Sequence, residues 1–361
     1  MSKIIYEIMH RENCVAQIST VGECKIYLED FMPYDLMLEE SNDFDKRIKN
    51  AMSFYSWCAS RMIPPDRTYA KEILNSIGAS QSVTDRDRAQ IALSYHCLSL
   101  LDVFWVKEEN EKVRFEDINL FAHSLSNALV DIALRGHQMT VTNAHLLAND
   151  LSTGGLYPKA WVRKEDGFYL YKDGGRDAVE REVLASKICR CFDCHQVLYE
   201  QGMFENEPVS ISKIMTSQRY SLVTYAAYDV YCTNRDWNTL DKILELDAPG
   251  YYMMNILDYL VGNTDRHWEN WGLLVDNETN QPIRLHDLMD FNWAFQQYDT
   301  PEGANCLTVG KRHLSQKDAA VEAVRNIGLN QVRQVEHTVF SGHPAWKATF
   351  EERLRVLRNA M

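Results

Sequence analysis

Gly262-Asn263-Thr264-Asp265-Arg266-His267-Trp268-Glu269-Asn270 is the stretch on which the reading of this chain turns, with Met289-Asp290-Phe291-Asn292 following downstream. An acid, an amide five residues later and a second acid beside an aromatic make up the polar set of a phosphoryl-transfer site. One carboxylate can orient or deprotonate a hydroxyl, while the amide oxygen and the other carboxylate can hold Mg2+. No other segment of the sequence is as specific. Asp287 lies close enough to Asp290 to leave open which of the two binds metal.

The remaining parts of such a site lie upstream. A transferring phosphoryl group carries spread negative charge, so the chain must supply cations and backbone donors. Leu151-Ser152-Thr153-Gly154-Gly155-Leu156 is a small-residue loop, and its two glycines, without Cβ, let backbone N–H groups come close to a phosphate. Lys159 to Glu165 and Phe168 to Lys172 alternate like strands around the hairpin dipeptide Asp166-Gly167. Lys172 closes the second strand. Residues 178–192 read as a helix that buries Val179, Val183, Leu184, Ile188 and Cys191 and carries Glu182. A lysine on a strand and a glutamate on the next helix are the usual partners in an ATP phosphate clamp.

Each piece alone has a plainer reading. Gly154-Gly155 could be a turn, Lys172 a solvated strand end, and Glu180 and Glu182 the outer face of a helix. Asp265 and Asn270 could be turn formers, and His267 a hydrogen-bonded loop histidine rather than a proton carrier. Trp268, Trp271 and Trp293 suit the core. The joint order decides: loop, lysine, glutamate, Asp-x4-Asn, then Asp.

The runs GNTDRHWEN, MDFN and LSTGGLYPK resemble HipA-like serine/threonine kinases, including CtkA-like members, over about residues 145–300. Arg61-Met62-Ile63-Pro64, Ser99 to Trp105 and Glu116-Asp117-Ile118-Asn119 are similar to an N-terminal region of HipA-domain proteins of Gram-positive bacteria. The resemblance implies an α+β, bilobed, protein-kinase-like fold with an additional N-terminal α+β domain, and ATP and Mg2+ as cofactors. It makes Asp265 the catalytic base, with His267 beside it, and Asn270 and Asp290 the metal ligands. Lys172 would hold the α- and β-phosphates, paired with Glu182. Ser152, Thr153, Gly154, Gly155 and Lys159 match the phosphate loop, in which a serine can itself be phosphorylated and the loop then ejected, so Ser152 would be an off-switch. An unidentified protein substrate and an antitoxin-like regulator are the implied partners; a toxin–antitoxin role rests on analogy. Asn292 departs from the glycine that follows Asp-Phe in the family, and asparagine tolerates left-handed backbone better than most residues. Phosphoinositide kinases share the Asn-x-Asp-Arg-His-x-x-Asn frame, so a lipid or small-molecule kinase is an alternative. A nucleotide-binding pseudokinase or interaction module is another.

Composition sets the limits. The chain has 361 residues, 45% hydrophobic and 25% charged, which suits a soluble bilobed protein with a full core. Lys and Arg number 38 against 51 Asp and Glu, a formal net charge of -13. That argues against direct nucleic-acid binding and against an anionic-membrane surface. There is no basic-then-apolar leader and no run long enough to span a bilayer. Nine scattered cysteines suit reduced thiols, so a cytoplasmic protein is expected. Cys189-x-Cys191-x-x-Cys194-His195 lacks the second separated pair that a structural zinc site normally needs. Walker A, dinucleotide, His-Glu-x-x-His and Gly-x-Ser-x-Gly patterns are missing.

The organisation expected is an N-terminal α+β domain over 1–145, a unit with phosphate loop, lysine strand and glutamate helix over 146–216, and a mostly helical catalytic unit over 217–361. Within the first, Lys3 to His10, Cys14 to Ser19 and Cys24 to Leu28 read as strands. Phe44, Ile48, Met52, Tyr55, Ala59 and Met62 recur at helical spacing. A second helix is expected over Arg67 to Ile77, and a third opens at Thr84, capped with Asp87, and runs through Leu100. Residues 115–135 also look helical. A helix through Met253, Ile256, Leu257 and Leu260 delivers the chain to Gly262, and a short hairpin is expected around Asp287 to Phe291. Ser315 caps one tail helix and Pro344 opens another.

Overall fold

The computed structural model describes residues 3–62, 84–123, 159–204, 206–309 and 314–361. The expected helix over Arg67 to Ile77 and the loop residues Ser152, Thr153, Gly154 and Gly155 lie outside them. The chain divides into two compact units. The first holds residues up to Arg163 together with 216–221 and 276–281, and the second holds the rest.

The first unit is built on an antiparallel sheet. Strands β1 (Ile5–His10) and β2 (Asn13–Ser19) pair from Ile5↔Ser19 to His10↔Asn13, turning at Arg11, whose φ of 51° fits the tight link. Together with β3 (Cys24–Ile26) and β4 (Phe104–Glu108) they give the order β3-β2-β1-β4. Ile8, Val15, Ala16, Ile18 and Trp105 fill its core. Helix α1 (Phe44–Ser60) starts where the Asp43 carboxylate accepts from Lys46 N at 3.0 Å. Its buried side carries Asn50, Phe54, Trp57 and Cys58. The recurring Phe44, Ile48 and Met52 are instead exposed, because α2 (Asp85–Ser94) covers only the later turns, with Arg86 over the Tyr55 ring. The capping box of Thr84 and Asp87 opens α2, but the helix stops at Ser94 rather than Leu100: His96 and Cys97 adopt φ of 59° and 54° and turn the chain back. The helix expected over 115–135 is a single short turn, α3 (Phe115–Ile118): Asn119 turns extended at φ -58° and ψ 138°, residues 119–123 are not helical, and 124–135 lie outside the described residues. Strand β5 (Lys159–Lys164) begins at Lys159.

In the second unit β6 (Gly167–Lys172) pairs antiparallel with β8 (Glu207–Lys213), and β8 with β7 (Tyr199–Phe204). Helix α4 (Arg176–Cys189) packs Val179, Val183, Leu184 and Ile188 onto them, as the periodicity predicts, and Cys191 is buried just beyond its end. A second sheet has the order β11-β10-β9, from β9 (Tyr220–Thr224), β10 (Gly272–Asp276) and β11 (Gln281–Leu285). The hairpin therefore precedes Asp287, and Asp287 to Phe291 form a loop after it. Helices α5 (Tyr225–Thr233) and α6 (Thr239–Val261) follow β9, α6 being broken at Asp247 just before Pro249. The tail helices are α7 (Gln316–Ile327), capped by the Ser315 hydroxyl, and α8 (Pro344–Ala360), with Pro344 at its first turn. Among the described residues no helix is long and apolar enough to cross a membrane.

Candidate active site

The site is assembled within the second unit. Lys172 sits at the end of β6, only 7% exposed, where strand geometry projects it under α4. Its ammonium donates to Glu182 Oε1 at 2.8 Å and to Asp290 Oδ1 at 3.0 Å. Glu182 faces inward from α4 at 1% exposure, and the Ser210 hydroxyl on β8 donates to its other oxygen. Burial works against the charge on Lys172, but Asp290 and Glu182 outweigh it and hold the ammonium well above its ordinary value. The Tyr199 ring lies 5.1 Å beneath the ammonium, and its hydroxyl accepts from Asp290 N at 3.1 Å.

The loop carrying Asp265 and Asn270 begins where α6 ends. Gly262 takes a φ of 62° that closes the helix, and a Cβ there would meet Tyr298 Cδ2 at 2.5 Å, so glycine is required twice over. Beyond it the loop is held by a buried cation. Arg266, 2% exposed, donates to Asp258 Oδ2 at 2.9 Å and Oδ1 at 3.0 Å, to Asn270 O at 2.7 Å, and to Met289 O. Asn263 adds a bond from Nδ2 to Asp258 Oδ1 at 3.1 Å and one to Asp290 O at 3.3 Å. One guanidinium thus ties the segment carrying Asp265 and Asn270 to the one carrying Asp290.

Asn270 Nδ2 donates to Asp265 O at 2.7 Å and reaches Asp265 Oδ2 at 3.5 Å. With the amide nitrogen engaged, the side chain's oxygen is its acceptor. Asp265 is held above the usual carboxylate value, first by burial and then by Asp290, with His267 pulling the other way. His267 Nδ1 accepts from Glu269 N at 3.2 Å, which leaves the ring proton on Nε2, 3.9 Å from Asp265 Oδ2. Asp287 pairs with Arg284 at 2.8 Å. The left-handed residue of the Asp-Phe-Asn element is Asp290 itself, with φ 61°; Asn292 has no positive φ, and its carbonyl accepts from Arg181 Nε at 3.0 Å. Phe291 is fully buried under the Arg266 guanidinium at 5.1 Å.

The Asn270 amide oxygen and the Asp290 carboxylate are hard oxygen donors, the kind Mg2+ takes. An ammonium beside it can meet a phosphate. The structure brings Lys172, Glu182 and Asp290 into direct contact and joins Asp265 to Asn270 and, through Arg266 and Asn263, to Asp290. Lys159 opens β5 in the first unit. Sequence reasoning missed Arg266, Asp258, Asn263, Tyr199 and Ser210. Asp258 did carry a signal, an acid on the otherwise apolar last turns of α6.

No family model and no curated protein matches the chain. Solved structures do. HipA of Shewanella oneidensis MR-1, solved in complex with HipB and operator DNA, is 11% identical and superposes with a TM-score of 0.51 over 98% of this chain and 97% of its own. The fold is HipA-like. The Helicobacter pylori proinflammatory kinase CtkA is similar over 58% of this chain and 92% of its own, at 14% identity and a TM-score of 0.48. The HipA-like likeness at these identities is one of architecture, α+β and kinase-like.

Proposed function

We propose that the chain is an ATP- and Mg2+-dependent serine/threonine protein kinase of the HipA-like type. The observation that carries this reading is Lys172 bridging Glu182 and Asp290, with the Asp265–Asn270 pair tied to the same loop by Arg266. In this reading Asn270 Oδ1 and Asp290 hold Mg2+, which when bound neutralises charge on the β- and γ-phosphates. Lys172, kept charged by Glu182, meets the α- and β-phosphates. Asp265 orients the acceptor hydroxyl and takes its proton as the hydroxyl oxygen bonds to the γ-phosphorus and the bond to the ADP oxygen breaks. Its raised proton affinity suits a group that must accept one. His267 Nε2 steadies the Asp265 carboxylate.

The decisive experiment is ATP turnover with generic protein substrates, wild type against Asp265→Ala. Transfer should fall by about 100-fold or more while ATP still binds; full turnover by the variant would end the assignment. We also propose that Ser152 is autophosphorylated and switches the enzyme off. Peptide mass analysis after ATP incubation should find phosphate there, and an active enzyme without label at Ser152 would end that idea. An antitoxin-like regulator and a cytoplasmic setting complete the proposal. Co-purification from the native cell and phosphoproteomics with active and Asp265→Ala forms address partner and target.

A further inference from the structure

Two side chains of the catalytic loop point outward, and neither belongs to the chemistry proposed above. Along 263–270, Asn263, Arg266 and Asn270 are buried, whereas Trp268 is 38% exposed and Glu269 is exposed. The loop is firmly placed: Ala226 N donates to Trp268 O at 3.1 Å, Tyr225 N to Trp271 O at 2.9 Å, and Asn270 N to His267 O at 2.9 Å. The indole of Trp268 stands edge-on to Tyr225 at 5.5 Å, and Tyr225 is itself stacked on Trp271 at 4.6 Å. The indole is only partly covered. It is braced on one side and open on the other, three residues from the reactive carboxylate.

The surroundings decide what can cover it. Glu269 adjoins it, Asp265 is the next acid in the loop, and the whole chain carries a formal charge of -13. An aromatic face next to a carboxylate is a seat for a cation, above all a guanidinium, which can stack on the ring and pair with the acid at once. Three steps of chain separate Trp268 from Asp265, a span of at most ~10 Å, and an extended peptide advances ~3.3 Å per residue. The cation would then stand two or three residues from the acceptor.

We propose that Trp268 and Glu269 form a specificity subsite for acceptor peptides bearing arginine or lysine two or three residues from the phosphorylated serine or threonine. This rests on the kinase reading. It is tested with a set of serine peptides carrying one arginine moved from four residues before the acceptor to four after it. Wild type should favour the two- or three-residue spacing by about tenfold in kcat/KM, mostly through KM. Trp268→Ala should flatten the scan. Glu269→Lys should shift preference to the same peptide with glutamate for arginine, with ATP affinity unchanged in both. Trp268→Phe should keep part of the preference and shows that the loop tolerates change. A flat scan in wild type, or an arginine preference that survives both variants, overturns the subsite. If no peptide is phosphorylated by any form, the kinase reading has failed on its own. Fluorescence polarisation of the labelled arginine and alanine peptides on Asp265→Ala protein then decides the subsite: tighter arginine binding that Trp268→Ala abolishes supports it, and equal binding overturns it.

Discussion

Arg266→Met tests the central structural argument without any assumption about substrate. The guanidinium is buried and makes four hydrogen bonds, two to Asp258 and one each to the carbonyls of Asn270 and Met289. Asp258 is only 4% exposed, and without Arg266 its sole remaining side-chain donor among the described residues is Asn263 Nδ2. Removing one partner of a buried pair leaves an uncompensated charge and costs ~3–5 kcal/mol. Two carbonyls also lose their donor, which makes the upper half of that range the better expectation. In a unit of this size each kcal/mol moves the melting midpoint by about 2–4 °C, so the variant should melt roughly 8–20 °C lower by circular dichroism. Pairing it with Asp258→Asn removes the stranded charge. The double variant should recover at least ~2 kcal/mol, because deleting both halves of a buried pair is far milder than deleting one. A single variant within ~1 kcal/mol of wild type, or a double variant no more stable than the single, would refute the clamp.

Tyr199→Phe removes only the hydroxyl that accepts from Asp290 N and should cost about 1 kcal/mol in the same melts; no change would mean the bond does not steady Asp290. Asp290→Asn should leave ATP binding in EDTA near wild type while losing the tenfold or greater gain that Mg2+ gives wild type, read by calorimetry at about 25 °C; an equal gain in both would remove Asp290 from the metal set. Asp265 offers a pH test. Its proton affinity is raised in the folded state, so the stability it contributes is complete below its ordinary value of 3.8 and is lost as pH rises through the raised value. Asp265→Asn lacks that loss, so its stability should gain on wild type as pH climbs above 3.8 and run parallel below it. A gap that closes with rising pH would show the carboxylate is not held up as described.

Much of this site was legible because its parts are local. Lys172 follows a strand signalled by Asp166-Gly167, Glu182 falls on the inward face of a strongly periodic helix, and Asp265 and Asn270 share one loop. What stayed hidden is set by contacts between distant segments. Arg266 stands in the quoted run with no role of its own to read, and the packing of α6 against the loop makes it a clamp. Tyr199 and Ser210 sit on β7 and β8, whose link at residues 205–206 holds no glycine or proline to announce a hairpin. The period of α1 was readable but not which side of it would be covered. Phe44, Ile48 and Met52 made the more regular apolar row, yet the helix buries Phe54, Trp57 and Cys58, because side chains from the sheet and from α2 meet it there. The placement of the left-handed turn went to Asp290 rather than Asn292, since Tyr199 and Asn263 bind the Asp290 backbone directly.

The threading of the chain has a practical consequence for anyone wishing to isolate the second unit. Residues 216–221 and 276–281 are spliced into its sequence yet fold with the other unit, where Thr216 donates to Leu100 O, Gln218 to Asn119 Oδ1, and Asn280 to the carbonyls of Asp30 and Met32. No single point of truncation therefore yields a clean fragment. An expression plan that starts at Lys164 leaves two polar excursions stripped of their hosts, so the fragment should be insoluble unless both are replaced by short engineered turns.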